Sequence, residues 1–369
     1  KNGEILALFS SPSFDPGMFV ESREGEDGIE GVLKDEDQPL FNRVIGGLYP
    51  PGSVFKIITA AAGLEEGVID KKTEIEDVGM IQIGPYQFGN WFYIQHGKKE
   101  GLVTIVKALK RSNDIFFYKT GEMLGVEKLA EWGKKFGIGG ISGIDLPGEE
   151  EGVMPDPEWR ERVKKDKWFL GDTYHLAIGQ GDLLTTPLQV NTWAASIANG
   201  GKLCRPRIIK EASNEKALRS ERIFSSSRIV HKFTSCEQRK NCSSPRFLNI
   251  GISKALAQES SCQDIGLKNE TISLIREGMK QACEPEGTGW PLFNFKVGEK
   301  EIVTGCKTGT AEFGDPEDKT HAWFTVFAPF KDPEIMITVL VEEGGEGSYV
   351  AAPIAKEILE EYFKEENNE

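Results

Sequence analysis

Apolar positions change their period several times along the chain, and each change marks an element. Residues 4–11 (EILALFSS) predict a strand. An acidic, Gly-rich stretch at 21–37 reads as a solvated loop. Pro50, Pro51 and Gly52 break the chain, and helical spacing then runs from Ser53 to about Gly67. Residues 70–99 mix Gly with aromatic residues and predict loops and short elements. Helical spacing dominates next, at 104–110, 115–124, 126–136 and 186–199. Thr186-Pro187 opens the last of these and Gly200-Gly201 stops it. Asn269 is placed to cap one more helix, running through Cys283.

Toward the C-terminus the period shortens. Strands are expected at 301–313, 322–327 and 335–341, and the last is apolar throughout, which suits a central strand. A closing amphipathic helix puts Ile354, Ile358, Leu359 and Tyr362 on one face. The first strand has no partner nearby, and the terminal strands lack a neighbour. The simplest closure is an α/β fold in which both chain ends form one antiparallel sheet flanked by helices. That gives a sheet lobe of about 1–66 and 285–369 and a helix-rich lobe of about 67–284. Residues 211–267, polar, Ser-rich and Cys-containing, read as a surface insertion, and a site would lie where the lobes meet.

The 369 residues are 39% hydrophobic and 28% charged, enough for a sizeable globular core. A net charge of −14 without a basic stripe argues against nucleic acid. No apolar run reaches the ~18 residues of a membrane span, and no signal peptide precedes the first strand. That abrupt start reads as a fragment or processed form of something longer. All six cysteines (Cys204, Cys236, Cys242, Cys262, Cys283, Cys306) lie in the second half and lean toward an oxidising compartment. Cys236 and Cys242 enclose a short polar loop and are the best disulfide candidates. Cys306 reads as a small buried apolar residue. Zinc would want Cys-x-x-Cys or histidines at ligand spacing, and the sequence has neither.

Three short stretches carry chemistry. Residues 49–56 (YPPGSVFK) put Ser53 in the first turn of a helix, with Lys56 following on the same face. A hydroxyl and an amine held there can act as nucleophile and base, and the helix dipole favours the neutral lysine a base needs. An isolated S-x-x-K is equally a helix cap beside a solvated lysine. Ser112-Asn113-Asp114 breaks two helices and could simply cap the second. Lys307-Thr308-Gly309-Thr310 lies in a strand, where Gly marks close approach of another backbone. Its Lys and Thr side chains make a rim suited to a carboxylate, although alone it could be an edge guarded by a lysine. Together and in this order they form the S-x-x-K, S-D-N-type and K-T-G set of penicillin-binding proteins and class A β-lactamases.

The chain resembles the transpeptidase domain of penicillin-binding proteins, most closely the elongation-class (class B) penicillin-binding protein 2 group. The likeness is carried by ILALFSSPSFDPG, PLFNRVIGGLYPPGSVFK, KALKRSNDIFFYKTGEMLG, GIDLPGEEEGVMPDPEW, IGQGDLLTTPLQV, GCKTGTAE and HAWFTVFAPF. It covers nearly everything outside 211–267, while the family's membrane anchor and N-terminal pedestal are absent from this sequence. The resemblance implies a penicillin-binding/serine β-lactamase-like fold and a D,D-transpeptidase without a cofactor. Ser53 would attack the carbonyl between the terminal D-alanines of a peptidoglycan stem peptide, and Lys56 would take its proton. Backbone N–H groups of Ser53 and Thr310 would form the oxyanion hole. Ser112 would relay the proton to the departing D-alanine, Asp114 would hold that loop, and Asn113 would contact substrate. Lys307, Thr308, Gly309 and Thr310 would bind the terminal carboxylate, with Lys307 also keeping Lys56 neutral. The implied partners are stem peptides, β-lactams that acylate Ser53, and a membrane glycosyltransferase of the elongation machinery. The implied location is the extracytoplasmic bacterial envelope, membrane-anchored in the full-length protein.

Some relatives bind zinc near the second motif through two Asp, a His and a Cys. The corresponding positions are Asp77, Asn90, His96 and Asn113, which keep two of the four ligand types, so no metal is expected. His96 is expected in a structural hydrogen bond, and His321, opening the strand after Lys307-Thr308-Gly309-Thr310, could border the cleft. His175 and His231 carry no signal, and Gly287-Thr288-Gly289 resembles a family loop to which no chemistry is assigned. A serine β-lactamase shares the three motifs but needs a base aimed at water, such as a Glu in E-x-x-L-N, and no such loop is present. A β-lactam sensor domain shares acylation without turnover, and the long N-terminal likeness argues against it.

Overall fold

The computed structural model describes residues 2–19, 29–209, 262–314 and 317–365. Helix α1 (Lys56–Glu65) runs through the interior, and every residue from Lys56 to Gly63 is buried. A helix apolar all round has to be enclosed, and the Ala60-Ala61-Ala62 run lets its neighbours approach closely. It is entered through a 3-10 turn, Gly52–Phe55, so Ser53 sits just ahead of the α-helix rather than inside it. Around α1 pack α2 (Ile105–Arg111), α3 (Asp114–Leu124) and, further along the chain, α5 (Asn269–Ala282). Asn113 caps α3 by accepting from Phe116 N at 2.9 Å. A Thr186–Gln189 capping box starts α4 (Pro187–Ala198), with Pro187 in the first turn. Lys268, not Asn269, occupies the cap position of α5.

Strands β1 (Gly305–Glu312), β2 (Thr320–Ala328) and β3 (Ile335–Val341) form an antiparallel sheet in the order β3-β2-β1. The strand expected at the centre, β3, is therefore an edge, and Ile337 is its one buried residue. Its run, apolar but for Thr338, serves two faces, because α4 packs on one side and α6 (Ala351–Glu365) on the other. Ala311, Trp323 and Phe327 face the large cluster that contains α1. Cys306, Phe324 and Val326 face α6, which meets them through Ala352, Ala355, Leu359 and Phe363. Leu359 is buried as expected, but Ile354 and Ile358 stay 41% and 42% exposed. The small alanines bring α6 close to the sheet and turn those isoleucines outward.

The first residues do not join this sheet. Ile5 N donates to Arg207 O, and Arg207 N donates to Gly3 O. Ile5 and Leu8 turn toward Ile45, Ile144 and Leu188, a spacing of three rather than two, and Leu6 and Phe9 remain exposed. Between Ile75 and Val103 the chain makes two short antiparallel pairs and a helix, Trp91–His96.

Two disulfides staple the fold. Cys204–Cys262 joins the paired strands Lys202–Cys204 and Cys262–Asp264, and Cys283–Cys306 ties the end of α5 to β1. Cys306 is buried as expected, but as half of a disulfide rather than as a free thiol. Both bridges join cysteines that packing brings together across the chain. Cys236, Cys242 and His231 lie outside the described residues.

Candidate active site

The turn that carries Ser53 is held by neighbours distant in sequence. Tyr49 and Thr185 exchange backbone hydrogen bonds, Trp323 Nε1 donates to Pro50 O at 3.0 Å, and Gly52 N donates to Gly179 O at 2.9 Å. Gly52 has φ +54°, and a Cβ there would come 2.6 Å from Thr310 O. Only glycine lets this turn lie so close to β1. Gly309 is the matching concession on the strand, since a Cβ there would meet Val54 at 2.9 Å and Pro51 O at 3.1 Å. Ser53 itself remains half-buried and so within reach of a ligand.

Lys56 and Lys307 are both fully buried. Lys56 Nζ donates to Ser112 O at 2.8 Å, to Ser112 Oγ at 3.3 Å and to Asp114 Oδ1 at 2.5 Å. Lys307 Nζ donates to the same Ser112 Oγ at 2.8 Å and to Thr308 O at 2.9 Å. One hydroxyl thus lies between two amines that come from opposite ends of the chain. Ser112 reaches that point because it closes α2 in a left-handed conformation, φ 52° and ψ 39°, which is strained for a residue with a Cβ.

Burial lowers the proton affinity of both lysines. At Lys56 the Asp114 carboxylate opposes that lowering. At Lys307 the charge of Lys56 adds to it, and its pKa falls well below the usual lysine value. Two buried amines facing one carboxylate form one ion pair, so the arrangement favours a neutral second amine. Asp114 does more than hold its loop. Its Oδ2 accepts from Trp91 N at 2.8 Å while Oδ1 pairs with Lys56. It stands where the S-D-N-type motif carries an amide, so Lys56 meets a full negative charge. Among the described residues Lys56 meets Ser53 through its backbone N–H, which donates to Ser53 O, and no hydrogen bond joins Lys56 Nζ to Ser53 Oγ.

Thr308 is nearly buried, and its Oγ1 pairs with Thr288 Oγ1 at 2.8 Å. Thr310 is exposed on the free edge of β1, and the Gln180 side chain lies against the backbone of that strand. Asn113 was expected to contact substrate, yet it is 1% exposed and faces away from the cleft. Its Oδ1 caps α3 and its Nδ2 donates to Asp77 Oδ2 at 3.0 Å. Thr288 could have been found through its Gly-Thr-Gly likeness. Gln180 carried no comparable signal, and Asp77 was marked only as a position that matches a zinc ligand of some relatives.

The four positions that match the zinc ligands of some relatives do not fit a cation here. Asn90 Oδ1 accepts from Asp114 N at 3.1 Å, and Asn113 Oδ1 accepts from Phe116 N. Both side chains therefore turn N–H donors, not oxygens, toward Asp77. His96 is exposed and packs edge-on against Trp91 and Phe92 instead of entering the expected hydrogen bond. Among the described residues no three His, Cys, Asp or Glu side chains gather as a metal site. His321 stacks on Phe313 at 4.2 Å and accepts from Glu343 N, which buries it beside Tyr49 rather than on an open cleft wall.

Comparison with known proteins places the chain in a family. Residues 1–360 match the family model of the penicillin-binding protein transpeptidase domain. The chain is 32% identical over 367 residues to peptidoglycan D,D-transpeptidase MrdA of Acinetobacter baumannii, covering 98% of this chain and 49% of that protein. The Escherichia coli K12 protein of the same name is 29% identical, with 100% of this chain and 54% of that protein covered. The chain thus spans about half the length of the curated relatives it matches. Penicillin-binding protein 2 of Pseudomonas aeruginosa superposes with a TM-score of 0.77 at 30% identity, over 98% of this chain and 69% of that one. Penicillin-binding protein A of Mycobacterium tuberculosis, solved as a ceftriaxone acyl-enzyme complex, gives 0.70 at 26% identity over 97% and 71%. A component of a peptidoglycan synthase complex that coordinates polymerization and crosslinking gives 0.75 at 27% identity over 96% and 53%. Motifs, fold and relatives coincide, and the chain belongs to the penicillin-binding protein transpeptidase family.

Proposed function

We propose that this chain is the catalytic part of a peptidoglycan D,D-transpeptidase that works through an acyl-serine intermediate. The observation that carries the reading is the Ser112 hydroxyl held between Lys56 and Lys307, with a half-buried Ser53 in the turn just ahead of Lys56. Ser53 Oγ attacks the carbonyl carbon between the two terminal D-alanines of a stem peptide, and its proton passes to Lys56 when that amine is in its neutral form, which burial favours and the Asp114 carboxylate opposes. The peptide C–N bond breaks, and that proton moves through Ser112 to the departing D-alanine nitrogen. An amine of a second stem peptide then attacks the ester carbonyl, forms the cross-link and returns a proton to Ser53. Lys307, Thr308 and Thr310 hold the donor's terminal carboxylate, and the N–H groups of Ser53 and Thr310 receive the oxyanion.

β-Lactams enter the same site as mimics of the donor and leave Ser53 acylated. Within a longer, membrane-anchored protein the domain would work on the outer side of the cytoplasmic membrane beside a glycosyltransferase that supplies glycan strands. The relative found in a peptidoglycan synthase complex supports that setting. Among the described residues no helix is long and apolar enough to cross a membrane.

The deciding experiment follows labelled penicillin on the intact chain by mass spectrometry. Stable label on Ser53, lost in Ser53→Ala, is expected. Release within seconds would mean a β-lactamase, and label retained in the variant would mean a different nucleophile. Cross-linking of lipid-linked substrate with a cognate glycosyltransferase then separates a transpeptidase from a sensor.

A further inference from the structure

We infer that Asp77 is a positioning residue for the reaction, holding Ser112 in its strained conformation through Asn113 and Asn90. Asp77 is 2% exposed, and among the described residues no lysine or arginine pairs with it. A buried carboxylate is tolerated only when donors fill its lone pairs. Gly79 N donates to Oδ1 at 2.8 Å. Asn90 Nδ2, Glu100 N and Asn113 Nδ2 converge on Oδ2 at 2.8, 2.9 and 3.0 Å.

Two of these donors lead straight to the second motif. Asn113 is gripped from both ends, by Asp77 on its nitrogen and by Phe116 N on its oxygen. Asn90 is oriented by Asp77 and uses its oxygen to hold Asp114 N. The residue after Asn90 supplies the N–H that holds Asp114 Oδ2, and the Trp91 indole donates to Arg111 O. Residues 111, 113 and 114 are therefore fixed on both sides of Ser112, whose left-handed backbone places Oγ between the two lysines. Strain of this kind persists only where the surroundings over-determine it. Asp77 touches neither substrate nor either lysine, so it acts through what it orients.

This inference rests on the proposed acyl-serine chemistry and is tested by comparing variants of the intact chain. Stopped-flow acylation by a fluorescent penicillin, over a range of concentrations, separates affinity from the acylation step. Asp77→Asn is expected to slow the acylation step at least about tenfold and leave affinity within about twofold, as a small misplacement of a catalytic group does. Asn113→Asp keeps the α3 cap but sets two carboxylates against each other, and gives a second route to the same loss should Asp77→Asn fold poorly. Single variants that acylate as fast as the unaltered chain would overturn the inference. So would one zinc ion per chain bound at Asp77. Failure of the unaltered chain to acylate would instead count against the proposed function.

Discussion

Lys56 Nζ and Asp114 Oδ1 lie 2.5 Å apart, with the lysine fully buried and the carboxylate nearly so. Burial pushes the Lys56 proton off, and the carboxylate pulls it back. A base must be neutral to accept the Ser53 proton, so removing the carboxylate makes the free amine available at lower pH. Asp114→Asn is expected to move the ascending limb of the acylation pH profile downward. A limb that stays put or moves up would show that Asp114 does not control Lys56.

Ser112→Ala removes the one acceptor shared by Lys56 and Lys307. Loss of a positioned proton-transfer group slows reaction by about 10²–10⁴-fold. Acylation by penicillin should fall within that span while the melting temperature changes little. Retention of more than about a tenth of the rate would remove Ser112 from the proton path.

Thr288 touches the proposed carboxylate rim only through the Thr308 hydroxyl. Thr288→Val frees that hydroxyl to rotate and removes one hydrogen bond, worth about 1 kcal/mol. Penicillin affinity should weaken by about fivefold with the acylation step unchanged. A slower acylation step at constant affinity would place Thr288 in the chemistry instead.

Cys283 and Cys306 are 23 residues apart, and closing a loop of that length accounts for about 3 kcal/mol in the chain-entropy picture. Cys306 immediately precedes Lys307. Cys283→Ser with Cys306→Ala should therefore lower the melting temperature and slow acylation together. An unchanged melting temperature would mean that packing of α5 on β1 already fixes that strand.

The chemistry was more legible in the sequence than the scaffold. Ser53 and Lys56 are close along the chain, and a helix start relates them by local geometry alone. Ser112 and Lys307 were legible as motifs, but their meeting at one hydroxyl is a product of packing. The apolar run at 335–341 suggested a central strand because a single sequence cannot show that two helices, α4 and α6, cover its two sides. Residues 4–11 offered apolar character without a period that settles strand from coil, and Ile5 and Leu8 took a spacing of three. The Cys204–Cys262 and Cys283–Cys306 disulfides were opaque for the same reason, because strand pairing and packing rather than nearness in sequence bring those cysteines together. Asn113 read as a substrate contact because the motif says only that it is adjacent to Ser112. Its amide is occupied on both ends in the interior.

The bridge between Cys204 and Cys262 joins positions 58 residues apart at the foot of a strand pair that packs on α4. It makes that foot a socket. Loop length enters the closure entropy only logarithmically, so a change in the length of the connection beyond Ile209, past the residues that bond Gly3, Ile5 and Asp145, costs little closure entropy. The strands beside the socket register against each other whatever it carries. The bridge thus fixes where the chain rejoins the described fold at Cys262, beside Cys204 and the strand that packs on α4, whatever the length of the connection.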